Sequence, residues 1–446
     1  MNNREKGITL IALIITIIIL VILAAVSIRA VYNMGIVNHA VNGTEEYAKA
    51  AKLENRIMTQ TDDFISRTLS KIKPVELVST INKGETATEK NEIYCVDNKV
   101  AVIPKGFTLS GIDNETSINS GLVIYDLKGD TIDNWNDNKD LIQQNYNQFV
   151  WIPVDIDETD SETNVKALHI SDWVNNERTE FTKPYTEPFS GAAQWELNDY
   201  SNIIKSVYLN GGFYIGRYET GTTVARNKTS GTTDVVIKRD AFPYNYVSWS
   251  KTMTNYEPTI SFSKQGGGGS WSVGRGAVYL SKNLYNEALS YGAVSTLCYG
   301  MEWDAILDFL KNEYDVTSSL NYGNHKTNSF DITRGKYSED NGGTFTSVTG
   351  VYNKPSSTPV LLTTGASDSF KQKNIYDMTG NLAEFTMECL YTAYGDTRIG
   401  RGGALYSTDD FGQAALSYRQ MSEYDVEISA FYSFGFRVAL YINTAD

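Results

Sequence analysis

Hydrophobic and polar positions divide the chain into four stretches. Residues 8–28 read ITLIALIITIIILVILAAVSI, 21 residues without a charged side chain, and a helix needs about 20 apolar residues to cross a bilayer. Thr9, Thr16 and Ser27 can bond to carbonyls of their own helix. Arg4 and Lys6 precede the run and Arg29 follows it, which favours a cytoplasmic N-terminus and an outside body. A removable secretory signal has a shorter core, about 7–15 residues, although Ala24, Ala25 and Ser27 are small. Next, Asn42-Gly43-Thr44 supplies a turn and an N-cap, and Glu45 and Lys49 form an i,i+4 pair. Leu53, Ile57, Ile65, Leu69 and Ile72 follow helical spacing until Pro74, so a helical stalk is expected over 29–74. Over 75–147 short apolar runs, such as 100–103 and 121–125, alternate with Gly, Asn and Asp. This predicts a small strand-rich linker region with an exposed loop at 130–140. From 148 to 446 the pattern predicts short strands at 149–154 and 212–219. A helix is expected to start at Tyr299, with Trp303, Ile306 and Leu307 on one face.

The chain has 39 Lys and Arg against 53 Asp and Glu, a net charge of −14. That balance argues against a nucleic-acid partner, because phosphate binding needs clustered cations. The hydrophobic content of 41% is that of a globular protein. Cys95, Cys298 and Cys389 cannot all pair within one chain, and no C-x-x-C occurs. His39, His169 and His325 lack ligand spacing, so a local multi-histidine metal motif is absent. The four glycines at 266–269 are followed by Ser270-Trp271 rather than Lys-Ser/Thr, which excludes a P-loop. Trp249, Trp271 and Trp303 are expected in the core.

The junction Lys6-Gly7-Ile8-Thr9-Leu10-Ile11 resembles the type IV prepilin cleavage and methylation signal. The resemblance implies a leader at 1–7, cleavage after Gly7 and a methylated N-terminus at Ile8. It also implies a pilin-like transmembrane helix at 8–28, other pilin-like subunits as partners, and a bacterial membrane or cell-surface location with the body extracellular. Prepilins carry Glu at the fifth mature position, where this chain has Ala12, so cleavage is implied more directly than filament assembly. A plain signal anchor is the alternative.

A second resemblance runs through the rest of the chain. Its pieces, in order, are Trp151-Ile152-Pro153, Phe213-Tyr214-Ile215-Gly216-Arg217-Tyr218-Glu219, Val247-Ser248-Trp249 and Glu302-Trp303. Tyr376-Asp377-Met378-Thr379-Gly380-Asn381-Leu382-Ala383-Glu384, Arg401-Gly402-Gly403 and Gly435-Phe436-Arg437 follow. Together they resemble the formylglycine-generating enzyme family, also called sulfatase-modifying factors. The fold class expected is thus α+β: the N-terminal helix, then a C-type-lectin-like domain over 148–446 with much irregular structure. Oxidase members bind copper through two Cys between the R-G-G and G-F-R markers. No Cys occurs there in this chain, and Phe411 and Leu416 stand near those places, so no copper and no formylglycine chemistry are expected. The family can also wrap a structural Ca²⁺ in the Y-D-M-x-G-N-x-x-E segment. The resemblance implies the Asp377 side chain, the Gly380 and Leu382 carbonyls and the Glu384 carboxylate as ligands, hard oxygens that suit Ca²⁺. Arg401 and Arg437 are expected to be internal props.

These observations lead to a non-enzymatic, surface-displayed binding protein presenting a lectin-like module to an extracellular protein or glycan. The binding face expected from sequence is Tyr406, Ser407, Thr408, Asp409, Asp410, Tyr418, Gln420, Ser422, Tyr424, Tyr432 and Ser433, the Tyr/Ser/Asp mixture that paratopes use. This segment also looks like the variable region of proteins diversified by diversity-generating retroelements, many of which share the fold. Two alternatives stand beside it. One is a structural minor pilin or fibre subunit without a ligand. The other is an enzyme using carboxylates of the same segment, among them Asp409, Asp410, Glu423, Asp425 and Glu427, as acid and base.

Overall fold

The computed structural model describes residues 19–21 and 80–443, apart from 182–184, 189–191, 193, 250–275, 287–289, 319, 393–394, 409 and 422–431. The chain divides into two units, Met1–Glu76 and Leu77–Asp446. Of the first, residues 19–21 are helical and exposed. Gly7, Ile8, the rest of 8–28 and the stalk at 29–74 lie outside the described residues. No described helix is long and apolar enough to cross a membrane.

The second unit is mixed α+β, with many short strands and few helices. In chain order its main strands are β1 (Glu92–Val96), β2 (Lys99–Ile103), β3 (Thr108–Leu109), β4 (Val123–Asp126), β5 (Asn147–Pro153), β6 (Gly212–Gly216), β7 (Ala293–Leu297), β8 (Ala383–Thr392), β9 (Gly395–Arg401), β10 (Arg419–Met421), β11 (Phe434–Phe436) and β12 (Val438–Ile442). Its helices are α1 (Lys139–Asn145), α2 (Gln194–Asn210), α3 (Ala277–Lys282) and α4 (Gly300–Leu310).

Six strands form an antiparallel sheet in the order β7-β12-β6-β5-β4-β3. The β5 sequence NQFVWIP has no in–out alternation, and all but its last position are buried, as in a strand covered on both faces. Helix α2 packs on β6 and β12, and α4 packs on β5. The α4 sequence GMEWDAILDFL is buried at every residue but Asp308, so the helix is a core element rather than an amphipathic surface one. The second sheet runs β10-β9-β8-β11, with β8 and β11 parallel and the short strand Tyr185–Thr186 paired to β8.

One expected boundary is corrected. Residues 75–147 are not a linker before a domain starting at 148, because β3 and β4 extend the main sheet. All four β4 positions are buried, and such a strand needs a neighbour on each edge to satisfy its backbone groups. From the same stretch Glu115, fully buried, accepts from Arg217 Nη1 at 2.7 Å and from the Tyr125 hydroxyl at 2.7 Å. The compact unit begins at Leu77.

Long loops are tied down by side chains rather than by ladders. The Lys354 ammonium, 2% exposed, donates to the carbonyls of Asn328 at 2.7 Å and His325 at 2.9 Å, and to those of Lys326 and Pro355 at 3.3 Å. One internal cation thus gathers four carbonyls of the loops around it. No disulfide joins Cys95, Cys298 or Cys389; the first is exposed and the other two are buried. Trp249 and Trp303 are core residues, and Trp271 lies outside the described residues.

Candidate functional site

Four of the sequence markers, at 213–219, 376–384, 401–403 and 435–437, meet in one buried junction. The loop before β8 enters it through residues with left-handed backbone: Asp377 (φ 55), Gly380 (φ 78) and Asn381 (φ 54). A Cβ on Gly380 would sit 2.5 Å from the Asn324 backbone, so this position admits only glycine. Its N–H donates to Gly402 O at 3.0 Å, which joins the Y-D-M-x-G-N segment to the R-G-G turn. Asn381 joins it to the early strand. Its side-chain nitrogen donates to Glu219 Oε1, and its oxygen accepts from Leu362 N at 2.9 Å. Arg437, fully buried, donates to Glu384 Oε1 at 2.6 Å and Oε2 at 2.8 Å, and to the carbonyls of Gly216, Tyr376 and Asp377. Arg401, also fully buried, bridges Asp304 at 2.6 Å and Glu388 at 2.9 Å. Arg419 reaches the same two carboxylates.

The junction holds more acid than base. Glu219, Asp377 and Glu384 are buried around Arg437. Burial, with the charges of Asp377 and Glu384, pushes the Glu219 carboxyl well above its usual range. Burial raises Asp377 to about 6, against the pull of the Gly365 N–H. Burial also raises Glu384, against the pull of Arg437. Glu219 Oε2 is buried without a hydrogen-bond partner, an arrangement that costs roughly 1–3 kcal/mol when left unmet.

This geometry bears on the Ca²⁺ ligand set expected from sequence. Both Glu384 oxygens accept from the Arg437 guanidinium, which already supplies that carboxylate with its positive partner. The carboxylates without a cationic hydrogen-bond partner are Asp377 and Glu219, and sequence reasoning missed Glu219. No group of three or more His, Cys, Asp or Glu placed to hold a metal occurs among the described residues.

The expected binding face separates into distinct environments. Tyr406 and Tyr432 are half-buried and pack edge to face with ring centroids 5.3 Å apart. Tyr246, which the sequence did not single out, joins them at 6.4 Å from Tyr432. The Tyr406 hydroxyl donates to Asn341 Oδ1 at 2.6 Å, anchoring the group to a loop more than sixty residues away. Burial and the neighbouring Tyr432 push the Tyr406 phenol up to about 12. Tyr246 holds φ at 50, a left-handed conformation that costs a bulky residue on the order of 1–3 kcal/mol and persists only where its surroundings enforce it.

The other residues divide differently. Ser407 is 7% exposed, and its hydroxyl accepts from Ala404 N at 2.9 Å; it closes the turn after Gly403 and is not a surface contact. Thr408 donates to Asp410 Oδ2 at 3.1 Å. Tyr418 and Gln420 are half-buried, one beside and one on β10, and among the described residues no ring contact or hydrogen bond joins them to the tyrosine group. Ser433 contributes its carbonyl to Ala383 N at 2.9 Å. Asp409, Ser422 and Tyr424 lie outside the described residues. Tyr246 was missed because a tyrosine between Pro243 and Val247 has no periodic mark; its role depends on a loop conformation.

Comparison with protein-family models, with curated proteins and with solved structures gives no match for this chain.

Proposed function

We propose that the protein is a membrane-anchored, surface-displayed binding module without catalytic activity. In this reading a prepilin-like signal is cut between Gly7 and Ile8, residues 8–28 hold the chain in the bacterial membrane or a pilin-like assembly, and a C-type-lectin-like body faces outward. The observation that supports binding most directly is the half-exposed group of Tyr246, Tyr406 and Tyr432, with one member in a strained backbone. Tyrosine supplies large, rigid contact area at low entropic cost, with a polar tip that pairs with protein or sugar.

The full chain in detergent, screened on arrays of glycans and of extracellular proteins, is expected to give specific binding that Tyr246→Ala with Tyr432→Ala weakens about 30-fold. That factor corresponds to an interface anchor of about 2 kcal/mol. The melting temperature should stay within a few degrees of wild type. Unchanged binding would remove the tyrosine group as the site, and an unfolded variant would make these tyrosines core residues.

For the acidic junction we propose a structural Ca²⁺ between Asp377 and Glu219, with Glu384 left to Arg437. The support is the acid excess and the unpaired Glu219 oxygen. Ligand binding to the native state alone stabilises by about 2.7 kcal/mol at a hundredfold excess over Kd. At pH 8, Ca²⁺ is expected to raise the melting temperature and a chelator to reverse the rise, with Glu219→Gln losing both responses. Identical melting with and without Ca²⁺ would refute the site.

A further inference from the structure

A second recess lies apart from the tyrosine group, around the segment that carries Val236, Lys238, Arg239 and Asp240. On one side is a groove of about 460 Å³ lined by Lys238, Arg239, Asp240, Phe242 and Lys336, with Gln144 at its edge. On the other is a hollow of about 280 Å³ that shares Val236 and Lys238 and adds Lys128, Tyr285 and Tyr291. In a chain of net charge −14, four cationic side chains line these two neighbouring spaces.

Their charges are poorly met from within. The Lys336 ammonium stands 4.6 Å from the Phe242 ring centroid, and neither it nor exposed Lys128 has a carboxylate partner among the described residues. Lys238 makes one long contact, 3.4 Å, to Asn145 O. Burial and the like charge of Lys128 lower its proton affinity. Arg239, 5% exposed, spends its amino nitrogens on Asp140 and Gln143. Its Nε is buried without a hydrogen-bond partner, with Asp240 Oδ2 at 3.8 Å. Asp240 Oδ2 accepts from Gln144 Nε2 at 2.6 Å, while Asp240 Oδ1 is buried with no donor.

The groove therefore offers two things at once: lysine ammonium groups without a carboxylate partner and an apolar wall from Phe242 and Val236. The unpartnered Arg239 Nε and Asp240 Oδ1 are buried and lie out of a ligand's reach. A bare phosphate or sulfate answers only the first. A sugar acid answers both: a carboxylate for the lysines and a C–H face for Phe242 and Val236. We propose that this double recess binds an acidic saccharide, a uronate-containing disaccharide or longer, with Lys238 and Lys336 taking the carboxylate. The site is independent of the tyrosine group and survives the failure of that reading.

The test is calorimetric titration of the full chain in detergent with galacturonate trimer, with neutral galactose trimer and inorganic phosphate as comparison arms. Binding of the uronate trimer is expected, weakening with added salt and falling at least tenfold in Lys238→Gln with Lys336→Gln. Lys238→Arg with Lys336→Arg should recover most of it, because charge and donors are kept. Tyr246→Ala with Tyr432→Ala should leave it unchanged. The proposal is overturned if the uronate trimer does not bind at millimolar concentration, if the neutral trimer or phosphate binds as tightly, or if the glutamine variant binds like wild type. Both lysines are partly exposed, and the arginine variant separates loss of charge from loss of fold.

Discussion

Replacing Arg401 with methionine should destabilise the body by about 3–5 kcal/mol, the range for breaking a buried ion pair from one side. The guanidinium is fully buried between Glu388 and Asp304, at 2.9 Å and 2.6 Å. Its loss leaves two interior carboxylates sharing Arg419 alone. Methionine fills much of the volume but carries no charge, so packing does not offset the electrostatic loss. Arg401→Lys should fall between, since one ammonium cannot present two parallel donors as the planar fork does. Urea unfolding of the full chain, followed by tryptophan fluorescence, reads both variants; Trp303 lies under the guanidinium, with 5.7 Å between its ring centroid and the Arg401 carbon. A loss below about 1 kcal/mol for the methionine variant would mean that this network is no more than a surface-type pair in strength.

The second large effect concerns pH. Glu302 is fully buried in the first turn of α4, where one carboxylate oxygen accepts from Tyr299 N at 2.8 Å. The other oxygen has no hydrogen-bond partner. Burial pushes the carboxyl up to about 8, with the Asp199 charge adding to the rise. A carboxyl raised in the folded state contributes stability that is complete below the unfolded value, near 4.3, and is lost as pH rises through 8. His325 works in the opposite sense: burial holds its folded value at about 4, so its contribution is complete above about 6.5. Between pH 6.5 and 8.5 Glu302 therefore titrates without interference from His325. Wild type should lose a few kcal/mol across that interval relative to Glu302→Gln, whose amide keeps the acceptor and cannot ionise. Parallel stability curves for the two proteins would place Glu302 outside the titration.

What the sequence made legible is what has a local cause. The helix around Trp303, Ile306 and Leu307 could be read from spacing, and α4 spans Gly300–Leu310. The apolar run at 149–154 could be read from length and composition, and β5 spans Asn147–Pro153. Arg401 and Arg437 were expected inside, and both are fully buried. What stayed hidden depends on pairing across long separations. Glu115 meets Arg217 102 residues away, which turns an expected linker into part of the core. Ser407 lies in a polar, paratope-like run, yet a turn folds its hydroxyl onto Ala404 N. Glu219 was read as the end of a strand, and its place beside Asp377 and Asn381 arises only when two loops meet. Neither periodicity nor composition carries that information, because irregular loops repeat nothing.

The place of β12 in the main sheet sets an order of events during synthesis. This strand lies between β7 and β6, yet its residues are 438–442, so the two halves of the sheet have no common neighbour until they emerge. At roughly 5–20 residues per second on the ribosome, tens of seconds separate β5 from β12. For that interval the chain cannot close its largest sheet, and Arg437, on which Glu384 depends for its charge partner, has not yet been made.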